Sequence, residues 1–218
     1  MNVPPGRPGP KPLLRGVLHE LCFGVATSAG VLLVAAAPGA AAKLGCGLYA
    51  VSLAALFGVS ALYHRPTWPE RARTWLRRFD HAAIFVLIAG TCTPLALTLP
   101  APLGGRMLAV AWAGAALGIV RALFLPRSRR WVVVLLAAAL VWAAAAYLPA
   151  LCAMNGRSVA VLLALGGGLY SLGALAYALR RPDPWPRVFG YHEVFHALVV
   201  IAAVCHFAAV ALALPSLG

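Results

Sequence analysis

A chain of 218 residues that is 62% hydrophobic and only 11% charged carries more apolar sequence than a water-soluble core of its size can bury. Its net charge of +13 sits in short clusters between apolar runs. No separate basic domain exists, which argues against nucleic-acid binding and for lipid headgroups and topology as the reason for the charge.

Residues 1–15 are rich in Pro and Gly and are expected to form a short disordered arm. The apolar run that follows is long and has no clear cleavage site before the next one, so it reads as a retained helix. A bilayer-crossing helix needs about 20 apolar residues. Runs of that kind are predicted at about 16–37, 44–63, 81–100, 107–125, 131–150, 158–179 and 193–214. The expected fold is an all-α integral membrane protein: a seven-transmembrane helix bundle forming one membrane domain over residues 16–214. The longest connection runs from Arg65 to Phe79, 15 residues.

Seven spans place the arm and three loops on one side of the membrane, with 15 of the 18 Lys and Arg residues. The other side holds only Lys43, Arg106 and Arg157. The positive-inside rule then predicts a cytoplasmic N-terminus and a C-terminus outside. The expected location is the cell membrane, the inner membrane of a bacterium, with membrane lipids as partners. Protein partners are not readable from the sequence. The five cysteines form no CxxC pair. Cys22, Cys92 and Cys205 fall in apolar runs as packing residues. Cys46 and Cys152 both fall near the outer face, where a disulfide is one option.

Ionisable groups at the membrane edge are costly and invite a functional reading. His192 and His196 stand four apart at the start of the last predicted helix, on one helical face. Such a pair is either two packed, hydrogen-bonded histidines or two nitrogens for one metal ion, commonly zinc. Ser60 and His64 show the same spacing at the end of the second helix. They read either as a back-bonding serine with an interfacial histidine or as a further ligand and its neighbour. Asp80 precedes an apolar run, where an N-cap aspartate is expected. The predicted topology brings His64, Asp80, His192 and His196 to one depth near the cytoplasmic boundary. Three nitrogens plus a water would make an open zinc site, with the carboxylate orienting or deprotonating that water. His19, Glu20, His81, Glu193 and His206 are placed outside this set, His206 as a hydrogen-bonded core residue nearer mid-membrane.

These residues lie within three strings: Ser60-Ala-Leu-Tyr-His64, Phe79-Asp80-His81 running on to Thr91-Cys92-Thr93-Pro94, and Gly190-Tyr191-His192-Glu193-Val194-Phe195-His196 with His206-Phe207 beyond. Together they resemble the hemolysin III family, which is grouped with the progestin and adipoQ receptors, including the adiponectin receptors. The likeness runs from about Arg15 to Leu214. It implies a seven-helix fold with a cytoplasmic N-terminus. It also implies zinc held by His64, His192 and His196, with Asp80 contacting the metal through water and Ser60 in the same site. Adiponectin receptors carry a long cytoplasmic N-terminal region, whereas about 15 residues precede the first predicted helix here, so their partners and ligand are not inferred. The wider superfamily includes alkaline ceramidases, which implies a zinc-activated water attacking a lipid amide or ester.

Three functions follow as expectations. The first is a zinc-dependent lipid hydrolase or a regulator of membrane lipid homeostasis. The second is a receptor or sensor with a structural zinc, and the third is a cytolytic pore. A pore should show a polar stripe along a helix, and these spans are rich in Ala, Leu and Val nearly throughout. A retinal protein needs a lysine within a span, and Lys11 and Lys43 both fall outside. A haem would need histidines on facing helices, whereas an HxxxH pair on one helix suits a single small ion.

Overall fold

The computed structural model describes residues 11–125 and 130–217. Eight α-helices account for most of them: α1 Val17–Ala36, α2 Gly39–His64, α3 Glu70–Leu97, α4 Ala101–Phe124, α5 Arg130–Ala145, α6 Leu148–Asn155, α7 Arg157–Leu179 and α8 Tyr191–Ala213. A short 3-10 turn, Leu214–Leu217, follows. No strand is present among the described residues. Six helices are long and apolar enough to cross a membrane, and α5 with α6 makes a seventh span when that bent pair is counted as one.

Backbone polar groups cannot be left open in hydrocarbon, so helices satisfy them internally and turn their side chains outward. Large apolar side chains such as Val25, Leu32, Val51, Leu117, Leu165 and Val204 are exposed on the outer surface. In water such a surface would drive association; against acyl chains it is neutral. The chain is thus an integral membrane helical bundle. Neighbour contacts run α1–α2–α3–α4–α5–α7–α8, and α8 returns to α1, closing a ring. The helix α3 also touches α5 and α8 and is the most buried span.

Close crossings fall at small residues, as expected where helices associate without a hydrophobic driving force. A Cβ on Gly118 of α4 would stand 2.2 Å from the Phe85 ring of α3, and one on Gly90 of α3 would stand 2.2 Å from Ser52 Oγ of α2. Within α3, Pro94 removes one backbone donor, and the Thr91 and Thr93 hydroxyls donate back to the Leu87 and Ala89 carbonyls.

Three expectations need correction. First, α3 begins at Glu70, so the connection from α2 is residues 65–69 and Asp80 lies nearly three turns inside the helix, not at its cap. The stretch 70–79 is charged on one face and carries Trp75, Leu76 and Phe79 on others. That pattern stops a hydropathy run without stopping a helix. Second, the fifth span is not one straight run over 131–150. It breaks after Ala145, turns by 47°, and resumes from Leu148 to Asn155, with Pro149 in the first turn of the new helix. Third, residues 11–15 of the arm are pinned. The backbone N–H groups of Leu13 and Leu14 donate to the Arg187 and Val188 carbonyls, and Lys11 Nζ lies 3.0 Å from the Pro66 carbonyl oxygen. The rest of the arm, and Arg127 and Arg129, lie outside the described residues. All five cysteines are free thiols, Cys46 and Cys152 included.

Candidate metal centre

His64 occupies the last turn of α2, while His192 and His196 lie in the first two turns of α8. The up-and-down course of the helices brings these two ends to the same end of the bundle. One ring nitrogen from each histidine lies within 4.8 Å of the others. Nε2 of His64 and Nε2 of His192 are 3.1 Å apart. Two nitrogens bound to a tetrahedral zinc at 2.0–2.1 Å stand about 3.3 Å from each other, so the donor spacing fits one ion. All three side chains are buried, His196 to 2% exposure. Three buried imidazoles with no thiolate form a borderline-soft donor set, which suits a first-row divalent metal over calcium or magnesium.

Local chemistry fixes these donors. The α8 N-terminus is held at three points. Glu193, 1% exposed, accepts from the Gly190 N–H through Oε2 at 2.8 Å, and its other oxygen pairs with Nε of Arg15. Asp183 Oδ1 accepts from the Tyr191 N–H at 2.8 Å. A capped first turn cannot fray, so the residues on either side of Glu193 keep their direction. On the α2 side, Lys11 and Gly16 pack at the helix end. A Cβ on Gly16 would lie 2.8 Å from His64 Cβ, so only glycine lets the arm pass this close.

Asp80 and Ser60 stand beside the nitrogen cluster. Asp80 Oδ2 lies 4.0 Å from His64 Nε2. Ser60, one turn deeper than His64 and buried, is within hydrogen-bonding reach of the Asp80 carboxylate. The five residues from the second, third and last spans thus share one locus.

Of the ionisable residues set aside at the sequence level, two belong to the surroundings of the cluster. His19 of α1 is buried, and its ring stacks on His196 at 3.9 Å between centroids and 4° between planes. Its edge contact with Phe57 completes a clamp on that face. Depth alone was the signal for His19; the stacking is a contact between residues 19 and 196 that no local pattern encodes. Glu193 turns its carboxylate to the Gly190 N–H and to Arg15, and that direction lets it anchor the helix. Glu20 turns outward and pairs with Arg65 at 2.6 Å. His206 lies deeper, its Nε2 3.2 Å from the Leu163 carbonyl oxygen.

His64 and His192 of the cluster, with Asp80, line one end of a cavity of about 790 Å³ that runs between α3, α5, α7 and α8. Its wall is polar near His64, Asp80 and His192 and apolar beyond, where Ile88, Leu95, Met107 and Leu163 line it.

A multi-pass helical membrane protein with three convergent histidines at one end is the class that fold and site define. The family profile described as Haemolysin-III related matches residues 9–207, and the chain belongs to that family. It is 33% identical over 163 residues to Hemolysin-3 of Bacillus cereus, covering 74% of this chain and 71% of that protein. It is 31% identical over 162 residues to the Hemolysin-3 homolog of Bacillus subtilis (strain 168), covering 73% and 72%. A shorter match, 50% identical over 50 residues, links it to the Adiponectin receptor protein of Drosophila melanogaster, with 21% of this chain and 11% of that protein covered. Together with the apolar helices, the Bacillus relatives assign the chain to the bacterial plasma membrane.

Proposed function

We propose that this protein binds one zinc ion through His64, His192 and His196 and hydrolyses an amide or ester bond of a membrane lipid. The observation that carries the reading is the placement of three buried ring nitrogens within 4.8 Å of one another, with His64 and His192 on the wall at one end of a cavity with an apolar interior. Fifteen cations against three, by the positive-inside rule, favour the cytoplasmic side for that end, where a lipid could keep its acyl chain in the cavity and present its polar linkage to the histidines.

Zinc in this position supplies a Lewis acid that polarises a carbonyl and lowers the pKa of water to about 7. The chain's own groups do the rest. The Asp80 carboxylate takes a proton from the attacking water at Oδ2. Ser60 holds the carboxylate in place. The water oxygen bonds to the acyl carbon, the C–N or C–O bond breaks, and the proton moves from Asp80 to the departing nitrogen or oxygen. The products are a fatty acid and an amine or alcohol. His19 keeps the His196 ring from rotating.

The test pairs metal analysis with lipid turnover on purified protein. Wild type should carry one zinc per chain and release fatty acid from a panel of ceramides and phospholipids. His192→Ala and His196→Ala should lose the zinc; full metal content in both would refute the assignment. Asp80→Asn should keep the zinc and lose at least a hundredfold in turnover, as expected for a general base. Fatty-acid release that Asp80→Asn leaves unchanged would remove Asp80 as the base, and wild type that retains zinc but releases no fatty acid from any lipid of the panel would make the ion a structural link between α2 and α8 and the protein a receptor or sensor.

A further inference from the structure

The cavity is not electrically balanced. Among the described residues, six cations line it: Lys11, Arg15, Arg73, Arg77, Arg78 and Arg121. Among the described residues of its wall there is one carboxylate, Asp80. Glu193 lies just outside the wall and neutralises Arg15. Arg78 is spoken for in part, since its Nη1 donates to the Leu123 carbonyl at 3.1 Å and its guanidinium lies 4.5 Å over the Trp75 ring. Lys11 Nζ donates to the Pro66 carbonyl at 3.0 Å. Arg73 and Arg77 are exposed and line the cavity where it opens, and positive charge beside a concave space with largely apolar walls attracts an anion.

The charge is also graded along one helix. A single face of α3 presents Arg73, Arg77, His81, Ile84, Ile88 and Leu95 to the cavity in that order. These positions follow the helical repeat of three and four residues. From Arg77 to Leu95 the stripe is about 27 Å long at 1.5 Å per residue. That is close to the full ~30 Å hydrocarbon layer and well over the depth of one leaflet. Arg121 enters from α4, buried in its last turn. One end of the cavity therefore wants an anion, and the other wants hydrocarbon.

We propose that the ligand of this cavity is a phosphate-bearing lipid, its phosphate gripped by Arg73, Arg77 and Arg121 and its acyl chain laid along α3 toward Leu95. Five of the six cations are arginines, whose forked donors match phosphate oxygens in pairs. Several arginines around one site suit a group of up to two negative charges better than a single carboxylate. The inference rests on the cavity being a lipid site, as proposed above, but needs neither the zinc nor the hydrolysis.

The experiment uses the full chain in detergent micelles, with binding read by native mass spectrometry and by the shift in unfolding temperature. The probes are phosphatidic acid, diacylglycerol with the same acyl chains, oleate, and inorganic phosphate. Phosphatidic acid should bind at least tenfold more tightly than the other three. The double variant Arg73→Gln, Arg77→Gln should lose at least tenfold in phosphatidic acid affinity while keeping its unliganded unfolding temperature and zinc content. Arg71→Gln, on the same helix but off the cavity wall, should bind as wild type. Equal binding of diacylglycerol or oleate would overturn the phosphate assignment, and inorganic phosphate binding as tightly as the lipid would overturn the acyl component. Equal losses in Arg71→Gln and the double variant would reduce the effect to surface charge and overturn the site. Fatty-acid release measured on the same samples separates the two proposals. Phosphatidic acid binding without turnover sinks only the hydrolase, and turnover of neutral lipids without phosphate preference sinks only this assignment.

Discussion

At Gly16 the backbone takes a φ of 80°, just where the N-terminal segment turns into α1 and brushes the end of α2. Left-handed backbone costs an L residue roughly 1–2 kcal/mol, and here an added methyl would also strike His64 Cβ. Gly16→Ala is therefore expected to lower the unfolding temperature by several degrees and to displace His64, weakening zinc retention against a chelator at least tenfold. Competition with a metallochromic dye measures the second effect; zinc held as firmly as in wild type would show that His64 is not positioned from this side. The histidines themselves were legible at this scale, because HxxxH at a helix start and a serine four before a histidine are local patterns. Gly16 and His19 were not. Their importance lies in touching residues 64 and 196, and spacing along the chain says nothing about such partners. The Arg15–Glu193 pair is a third case, since each half looked like an ordinary membrane-edge charge.

Hydropathy found the apolar part of each span well, because lipid exposure demands it all around a helix. It misjudged where helices begin and bend. The cations of residues 71–78 ended the apolar run but sit on a continuous helix whose inward face includes Arg73 and Arg77. The 47° break between α5 and α6 interrupts a stretch that is apolar throughout, so hydropathy passes over it. Packing between elements was still less visible, because it depends on which glycine meets which ring. At the α3–α4 crossing, Gly118 faces the fully buried Phe85. Gly118→Ala should overpack this contact and cost about 1–3 kcal/mol. Gly105 lies in the same helix with nothing within 4 Å of an added Cβ. Gly105→Ala should be neutral or stabilising by up to about 1 kcal/mol through helix propensity. Thermal unfolding in one detergent compares the two, and similar midpoints would show that the crossing tolerates a wider separation.

For the whole molecule, the ring of spans brings the ends of α2 and α4 and the starts of α1, α3 and α8 to one end, together with the cavity's cations. If that end is cytoplasmic, a reporter fused to the N-terminus and active only in the cytoplasm should be active. A reporter active only outside the membrane should work at the C-terminus. Both reporters active on the same side would contradict an odd number of spans and require the α5–α6 pair to be a re-entrant hairpin. The lopsided charge made orientation arguable from the sequence; ring closure through α1 and α8 was not arguable, because it joins the two ends of the chain.

The contact between His64 and His192 spans 128 positions of sequence. During synthesis, then, the bundle can insert six spans in order with its donors still separated, since two of the three histidines arrive on the last helix. A nascent chain that stops before Tyr191 has one of these three imidazoles and no centre. Metal capture would in that case mark the moment when the ring closes, making the bound ion a record that the final helix has arrived and docked.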